Sequence, residues 1–252
     1  MTTIAVIENN AAHLQLITHH IKKNPDYSIL STASNGFEFV NFCCHNKQLP
    51  QIALVDVEMN VMDGVTLVDF LTQFFPSIKC IVVTSHSHKE MLEDMMACGA
   101  MGIVFKLFTN ELTSNNLANF GISHKFELLD TAIETVANNT FYLDSLIASS
   151  EKQMVEQLNR VALIAYRQQQ RNMNAPFNFV DKEQMILALC AGTSAKLSDI
   201  AHVLSISVQN LKWHQSNIFK KMGVEDRLEL THICNRKGIV KNARNLVGKE
   251  EL

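Results

Sequence analysis

Five short apolar, partly β-branched runs alternate with helical patterns across residues 3–143, and this alternation limits the fold more than any other feature. The runs are Thr3–Ile7, Tyr27–Ala33, Ile52–Val55, Lys79–Thr84 and Met101–Phe105. Between and after them, Ala11–Lys23, Phe37–Cys44, Val65–Phe75, Lys89–Cys98 and Lys125–Val136 repeat apolar residues at helical spacing. Asn24-Pro25, Asn35-Gly36, Pro76 and Gly99 punctuate the pattern. Strands that alternate with helices form a parallel sheet covered on both faces, so a doubly wound five-stranded α/β fold is expected.

Right-handed crossovers place every strand's carboxyl end on one edge of such a sheet. That edge collects Glu8, Asn9, Asp56, Thr84 and Lys106. Taken alone, Asp56 in QIALVDVEMNVMDG reads as a helix cap. The convergence of two carboxylates, an amide, a hydroxyl and an ammonium changes that reading to a phosphoryl-acceptor site. A carboxylate oxygen is a nucleophile toward phosphorus. Mg²⁺ takes hard oxygen ligands, usually one or two carboxylates with phosphate oxygens. Asp56 is then the acceptor, Glu8 and Asn9 form the metal side, and Thr84 and Lys106 hold the phosphoryl oxygens.

The elements VIEN, LVDVEMNVMDG, VVTS and GAMGIVFK, in this order, resemble the receiver domain of bacterial response regulators. The resemblance implies phosphotransfer from a histidine kinase to Asp56. It also implies a Mg²⁺ site formed by Glu8, Asn9, Asp56 and the backbone carbonyl of Glu58. The chain departs from the family where a second acid is usual (Asn9), where Pro-Gly is usual (Asn60-Val61), after the lysine (Leu107) and at the aromatic switch position (Ile103). Loss of one charge beside the cation removes roughly 4 kcal/mol of gross Coulomb attraction per unit of cation charge, so weakened Mg²⁺ binding is expected.

An irregular insertion is expected over about 107–124, before the final receiver helix at Lys125–Val136; a segment of this length suggests an added interaction surface. A helical linker follows at 144–176. Val155, Leu158, Ala162 and Ala165 recur in it as a short heptad-like stripe, which fits either a helix packed on a neighbouring domain or one that pairs two chains. The receiver is thus assigned to 1–143 and a third segment to 177–252.

The third segment reads as four helices: one capped by Asp181, one capped by Ser198, one over Val208–Met222 and one over Leu228–Arg236. A tight turn between the second and third suggests a helix-turn-helix. Gln209, Lys212, Trp213, Ser216 and Lys220 share the outer face of the third helix, with Lys221 beside them. Polar groups for base edges and cations for phosphates are what a DNA-reading helix needs. Trp213 is the only tryptophan, and burial against the neighbouring helix is its alternative reading. The run SISVQNLKWHQSNIFKKMGVEDRLEL closely resembles the LuxR-type helix-turn-helix, in which the positions matched by Lys212, Trp213 and Ser216 face the major groove.

Charge is divided accordingly. The net −3 hides 11 Lys+Arg against 8 Asp+Glu from residue 177 onward, and 11 against 17 before it. None of the six cysteines forms a CxxC pair, so free thiols in a reducing cytoplasm are expected. No apolar run approaches a membrane span, and no signal peptide is evident.

The two resemblances together match the NarL/FixJ class. The expected function is a two-component, DNA-binding transcription regulator switched by phosphorylation of Asp56, with DNA and a histidine kinase as partners and a homodimer at least on DNA. The alternative is a phosphorylation-independent regulator whose atypical receiver serves for dimerisation or partner binding. No enzymatic output is expected.

Overall fold

The computed structural model describes residues 1–85, 89–106, 118–144 and 179–241, with residues 164, 165, 168 and 177 between them. The first part of the 107–124 insertion and the heptad-like stripe, except for Ala165, lie outside the described residues.

The strands are β1 (Thr2–Ile7), β2 (Tyr27–Ala33), β3 (Ile52–Asp56), β4 (Lys79–Thr84) and β5 (Gly102–Phe105). They alternate with α1 (Ala11–Lys23), α2 (Gly36–His45), α3 (Gly64–Phe74) and α4 (Lys89–Cys98), and α5 (Ala118–Ala137) follows β5. All pairings are parallel. The sheet has six strands in the order β2-β1-β3-β4-β5-β6, rather than five. The additional strand, β6 (Tyr142–Leu143), is too short to carry a periodic signal. It is reached through Asn139, whose φ of 61° suits an asparagine at the turn after α5. Asp144 then fastens the edge: its N–H donates to the Ile103 carbonyl at 2.9 Å, and its carboxylate accepts the Phe105 N–H at 2.9 Å.

Strand alternation divides the interior between the two faces of the sheet. Ile4, Val6, Ile52, Leu54, Ile81 and Val83 pack with α1 and α5, whereas Ala5, Ile7, Ala53, Val55 and Val82 pack with α2, α3 and α4. Helix α5 begins seven residues before Lys125, so residues 118–124 are helical rather than irregular. Asn119, Gly121 and Ser123 are weak helix formers that hide this turn in the sequence. Burial of Leu129, Ala132, Ile133 and Val136 further along anchors the helix.

Four helices form the carboxyl-terminal part: α6 (Asp181–Gly192), α7 (Leu197–Val203), α8 (Val208–Met222) and α9 (Arg227–Arg236). Asp181 is the first helical residue of α6 rather than its cap. Val180 precedes it and donates its N–H to Glu183 Oε2 at 3.3 Å. Ser198 lies inside the first turn of α7, behind Lys196. Helix α8 starts at Ser207, whose hydroxyl accepts the Asn210 N–H at 3.1 Å, and stops at Gly223 with φ 68°. Helices α6 and α7 continue the apolar cluster on the α2–α3 side of the sheet. Polar contacts there join Ser194 N to the Val61 carbonyl (2.9 Å), Thr66 Oγ1 to the Lys241 carbonyl (2.7 Å) and Lys241 Nζ to Asp94 Oδ1 (2.8 Å).

Candidate functional site

The carboxyl edge of the sheet gathers the expected groups. Glu8 follows β1, Asp56 ends β3, Thr84 ends β4 and Lys106 follows β5; all four are buried. Lys106 Nζ lies 2.7 Å from Glu8 Oε2 and 2.9 Å from Asp56 Oδ1, so one ammonium bridges two carboxylates. The remaining bonds hold the acids in place. Asn10 N–H donates to Glu8 Oε1 at 2.9 Å, and Val57 N–H donates to Asp56 Oδ1 at 2.8 Å. The Lys106 backbone N–H donates to the Thr84 carbonyl, which ties β5 to β4 at the site. Gly64 lets α3 start directly over the end of β3, since a Cβ there would lie 2.1 Å from the Asp56 carbonyl oxygen.

These residues line a pocket of about 200 Å³ together with Asn9, Asn10, His13, Val57, Glu58 and Ser85. Burial, and then the charge of Asp56, raise the Glu8 carboxyl above its ordinary 4.5, against the pull of Lys106. Two carboxylates and one ammonium leave the site with a negative charge when all are ionised. The donors are hard oxygens: Glu8, Asp56, the Asn9 amide and the Glu58 carbonyl. That set fits a divalent cation of the Mg²⁺ type in its chemistry. Asn9 Nδ2 donates to the Glu58 carbonyl at 2.7 Å, joining two of these donors. Among the described residues, no three acidic, histidine or cysteine side chains form a metal cluster.

His13 belongs to the pocket and was not evident from the sequence. It lies in the first turn of α1, with Nδ1 3.8 Å from Glu8 Oε1. Burial, then Lys106, push its imidazole below its ordinary value. Its place three residues after the N-cap Asn10 was the signal available.

Helix α8 presents the second surface. Leu211, Ile218 and Met222 face inward, whereas Gln209, Lys212, Trp213, Ser216 and Lys220 are exposed. Trp213 is 62% exposed, so its burial against a neighbouring helix is ruled out. Lys221 differs from the others. Its Nζ pairs with Glu183 Oε2 at 2.6 Å and lies 5.2 Å from the centre of the Phe179 ring, which secures α8 to α6. Arg227 is structural: its three nitrogens donate to the carbonyls of Cys190, Ala195 and Thr193 at 2.7, 2.6 and 2.8 Å, closing the α6–α7 loop.

Two family patterns match the chain. Residues 4–117 match the response regulator receiver domain, and residues 179–234 match the luxR family of bacterial regulatory proteins. The transcriptional regulatory protein DegU of Brevibacillus brevis is 21% identical over 245 residues, covering 94% of both chains. The oxygen regulatory protein NreC of Staphylococcus aureus is 24% identical over 217 residues, covering 85% of this chain and 88% of its own. The chain is a response regulator with a LuxR-type DNA-binding domain. A solved RcsB response regulator from Salmonella typhimurium shares the fold at 16% identity and a TM-score of 0.50, covering 92% of this chain and 98% of that one.

This response regulator keeps the receiver architecture but alters its signalling positions. Receiver domains typically bind Mg²⁺ at an acidic site; here Asn9 stands where the second acid is usual. Val61, where glycine is usual, has a φ of 65° in the left-handed region. Ile103 is fully buried between Val82 and Leu143, with no aromatic ring at that position to swing. Among the described residues, no helix is long and apolar enough to cross a membrane.

Proposed function

We propose that this response regulator is switched by phosphorylation of Asp56, with a histidine kinase as donor and Mg²⁺ as cofactor. The bridge from Lys106 to Glu8 and Asp56 supports this reading, because it brings two carboxylates and an ammonium together in one pocket at a sheet edge. Asp56 Oδ1 is engaged by Val57 N–H and Lys106, so Oδ2 is the attacking oxygen. The O–P bond forms as the phosphohistidine N–P bond breaks, and the imidazole leaves with that electron pair. Lys106 then turns from the carboxylate to the phosphoryl oxygens, and the Thr84 hydroxyl holds another of them.

Bound Mg²⁺, held by Glu8, Asp56, the Glu58 carbonyl and Asn9, would neutralise charge on the phosphoryl group. Aspartyl phosphate, Glu8, Lys106 and one divalent cation sum to no net formal charge, so Asn9 is compatible with a loaded site. The receiver is assigned to 1–143, the linker to 144–176 and the DNA-binding domain to 177–252. Gln209, Lys212, Trp213, Ser216 and Lys220 are the DNA-contacting set. Lys221 contributes to it by leaving Glu183. A cytoplasmic protein that is dimeric on DNA completes the reading.

Incubation with a small-molecule phosphodonor and Mg²⁺, followed by intact-mass measurement, tests the reading. A gain of one phosphoryl group that disappears in Asp56→Ala is expected. No incorporation with either Mg²⁺ or Mn²⁺ would exclude it.

A phosphorylation-independent regulator is the second reading. The Asn9–Glu58 bond and the buried Ile103 favour it, since both occupy positions through which receivers respond. It requires equal DNA affinity with and without phosphodonor.

A further inference from the structure

We propose that Trp213 selects A·T-rich operators by packing its indole against thymine methyl groups in the major groove. The inference rests on the DNA-binding reading above and supplies its base preference.

Helix α8 presents Gln209, Trp213, Ser216 and Lys220 at i, i+4, i+7 and i+11, which forms a single stripe along its outer face. Trp213 is the largest group in that stripe and is held in solvent, edge-on to the His214 ring at 4.9 Å between centroids. An exposed indole on a polar helix face gains most by covering an apolar surface. In the major groove, the thymine C5-methyl is the apolar feature of the base edges.

Neighbouring side chains favour the same base pair. Gln209 is one turn before Trp213, about 6 Å along the axis, which spans neighbouring base pairs. Its amide matches the N6 and N7 pattern of adenine. The usual readers of guanine are arginine and lysine. Helix α8 contains no arginine, and Arg227 of the adjoining helix is bonded to the carbonyls of Cys190, Ala195 and Thr193. The inference assigns Lys212 and Lys220 to phosphates, which leaves guanine without a reader on this helix. A glutamine beside an exposed indole, with no arginine on the helix, recognises adenine and the thymine methyl.

Selection from a pool of random duplex DNA with the full-length protein, followed by binding to the enriched duplex with dU replacing dT, tests this. Enrichment of A·T pairs is expected, with an affinity loss of about fourfold for each methyl read. Trp213→Ala should bind the dT and dU duplexes equally and retain salt-sensitive binding to unrelated DNA. An enriched site unaffected by dU, or one equally affected in Trp213→Ala, overturns the inference but leaves the protein a DNA-binding regulator. Failure to bind or enrich any duplex overturns both.

Discussion

Val61 and Ser194 join the loop after β3 to the DNA-binding domain: the Ser194 N–H donates to the Val61 carbonyl at 2.9 Å. Val61 is only five positions after Asp56 and holds a φ of 65°. A β-branched residue is disfavoured in this region because its Cβ approaches the following carbonyl, at about 1–2 kcal/mol. The loop that follows Asp56 is therefore strained and bonded to the DNA-binding domain.

Glycine removes the steric penalty at position 61 and deletes a partly buried side chain, so the two effects oppose. Val61→Gly should change stability by less than about 1 kcal/mol. Val68→Gly, at a fully buried helical position, should lose about 3 kcal/mol or more. Urea unfolding of both variants compares them. An equal loss at the two positions would mean that the left-handed turn carries no strain.

The Glu8 carboxyl is raised in the folded state by burial and by Asp56, so folding favours its protonated form. The sign follows by linkage: this contribution to stability is full below the unfolded value near 4.5 and is lost as pH rises through the folded value. Glu8→Gln should remove that decline and leave a flatter stability profile above pH 4.5. Unfolding midpoints measured in urea across this range provide the check. A slope unchanged by Glu8→Gln would assign the titration to another group.

Gly64 has a comparable constraint. An added Cβ would meet the Asp56 carbonyl at 2.1 Å, and the backbone on both sides must move apart to admit it. Gly64→Ala should lower stability by about 2 kcal/mol or more and slow phosphorylation, because Asp56 shifts relative to Lys106. Unfolding and phosphodonor kinetics on the same preparation test the coupling. Native stability together with a native phosphorylation rate would show that α3 does not fix the acceptor.

Period and punctuation in the sequence were sufficient for the five-strand core, whose short apolar runs are buried on both faces, and for α8, which buries one regular face. The same information could not reveal β6, whose two residues are shorter than one alternation. Nor could it reveal the early start of α5, where Gly121 and its polar neighbours oppose the helix that tertiary packing stabilises. At the site, Glu8, Asp56, Thr84 and Lys106 were legible because strand ends converge by topology. His13 was not, since its approach to Glu8 depends on the direction in which α1 leaves the Asn10 cap. Lys221 shows the opposite limit: helical spacing placed it near the DNA face, and a contact from Glu183, 38 residues away, gave it a second partner.

Arg227 and Lys212 separate structure from recognition within the DNA-binding domain. Arg227 satisfies the Cys190 carbonyl in the last turn of α6 and the Thr193 and Ala195 carbonyls of the α6–α7 loop, and its removal leaves partly buried acceptors without their charged donor. Arg227→Ala should therefore lose about 2–4 kcal/mol of stability in that domain, with DNA affinity falling as its folded population falls. Lysine offers one donor centre in place of a planar fork and should restore only part of the loss. Lys212 is exposed on the outer face of α8. Lys212→Ala should leave the unfolding midpoint unchanged, weaken binding across DNA sequences and reduce the dependence of log affinity on log salt by about 1. Thermal unfolding combined with a salt series of binding isotherms distinguishes the two residues. An unchanged salt slope in Lys212→Ala would remove Lys212 from the phosphate contacts.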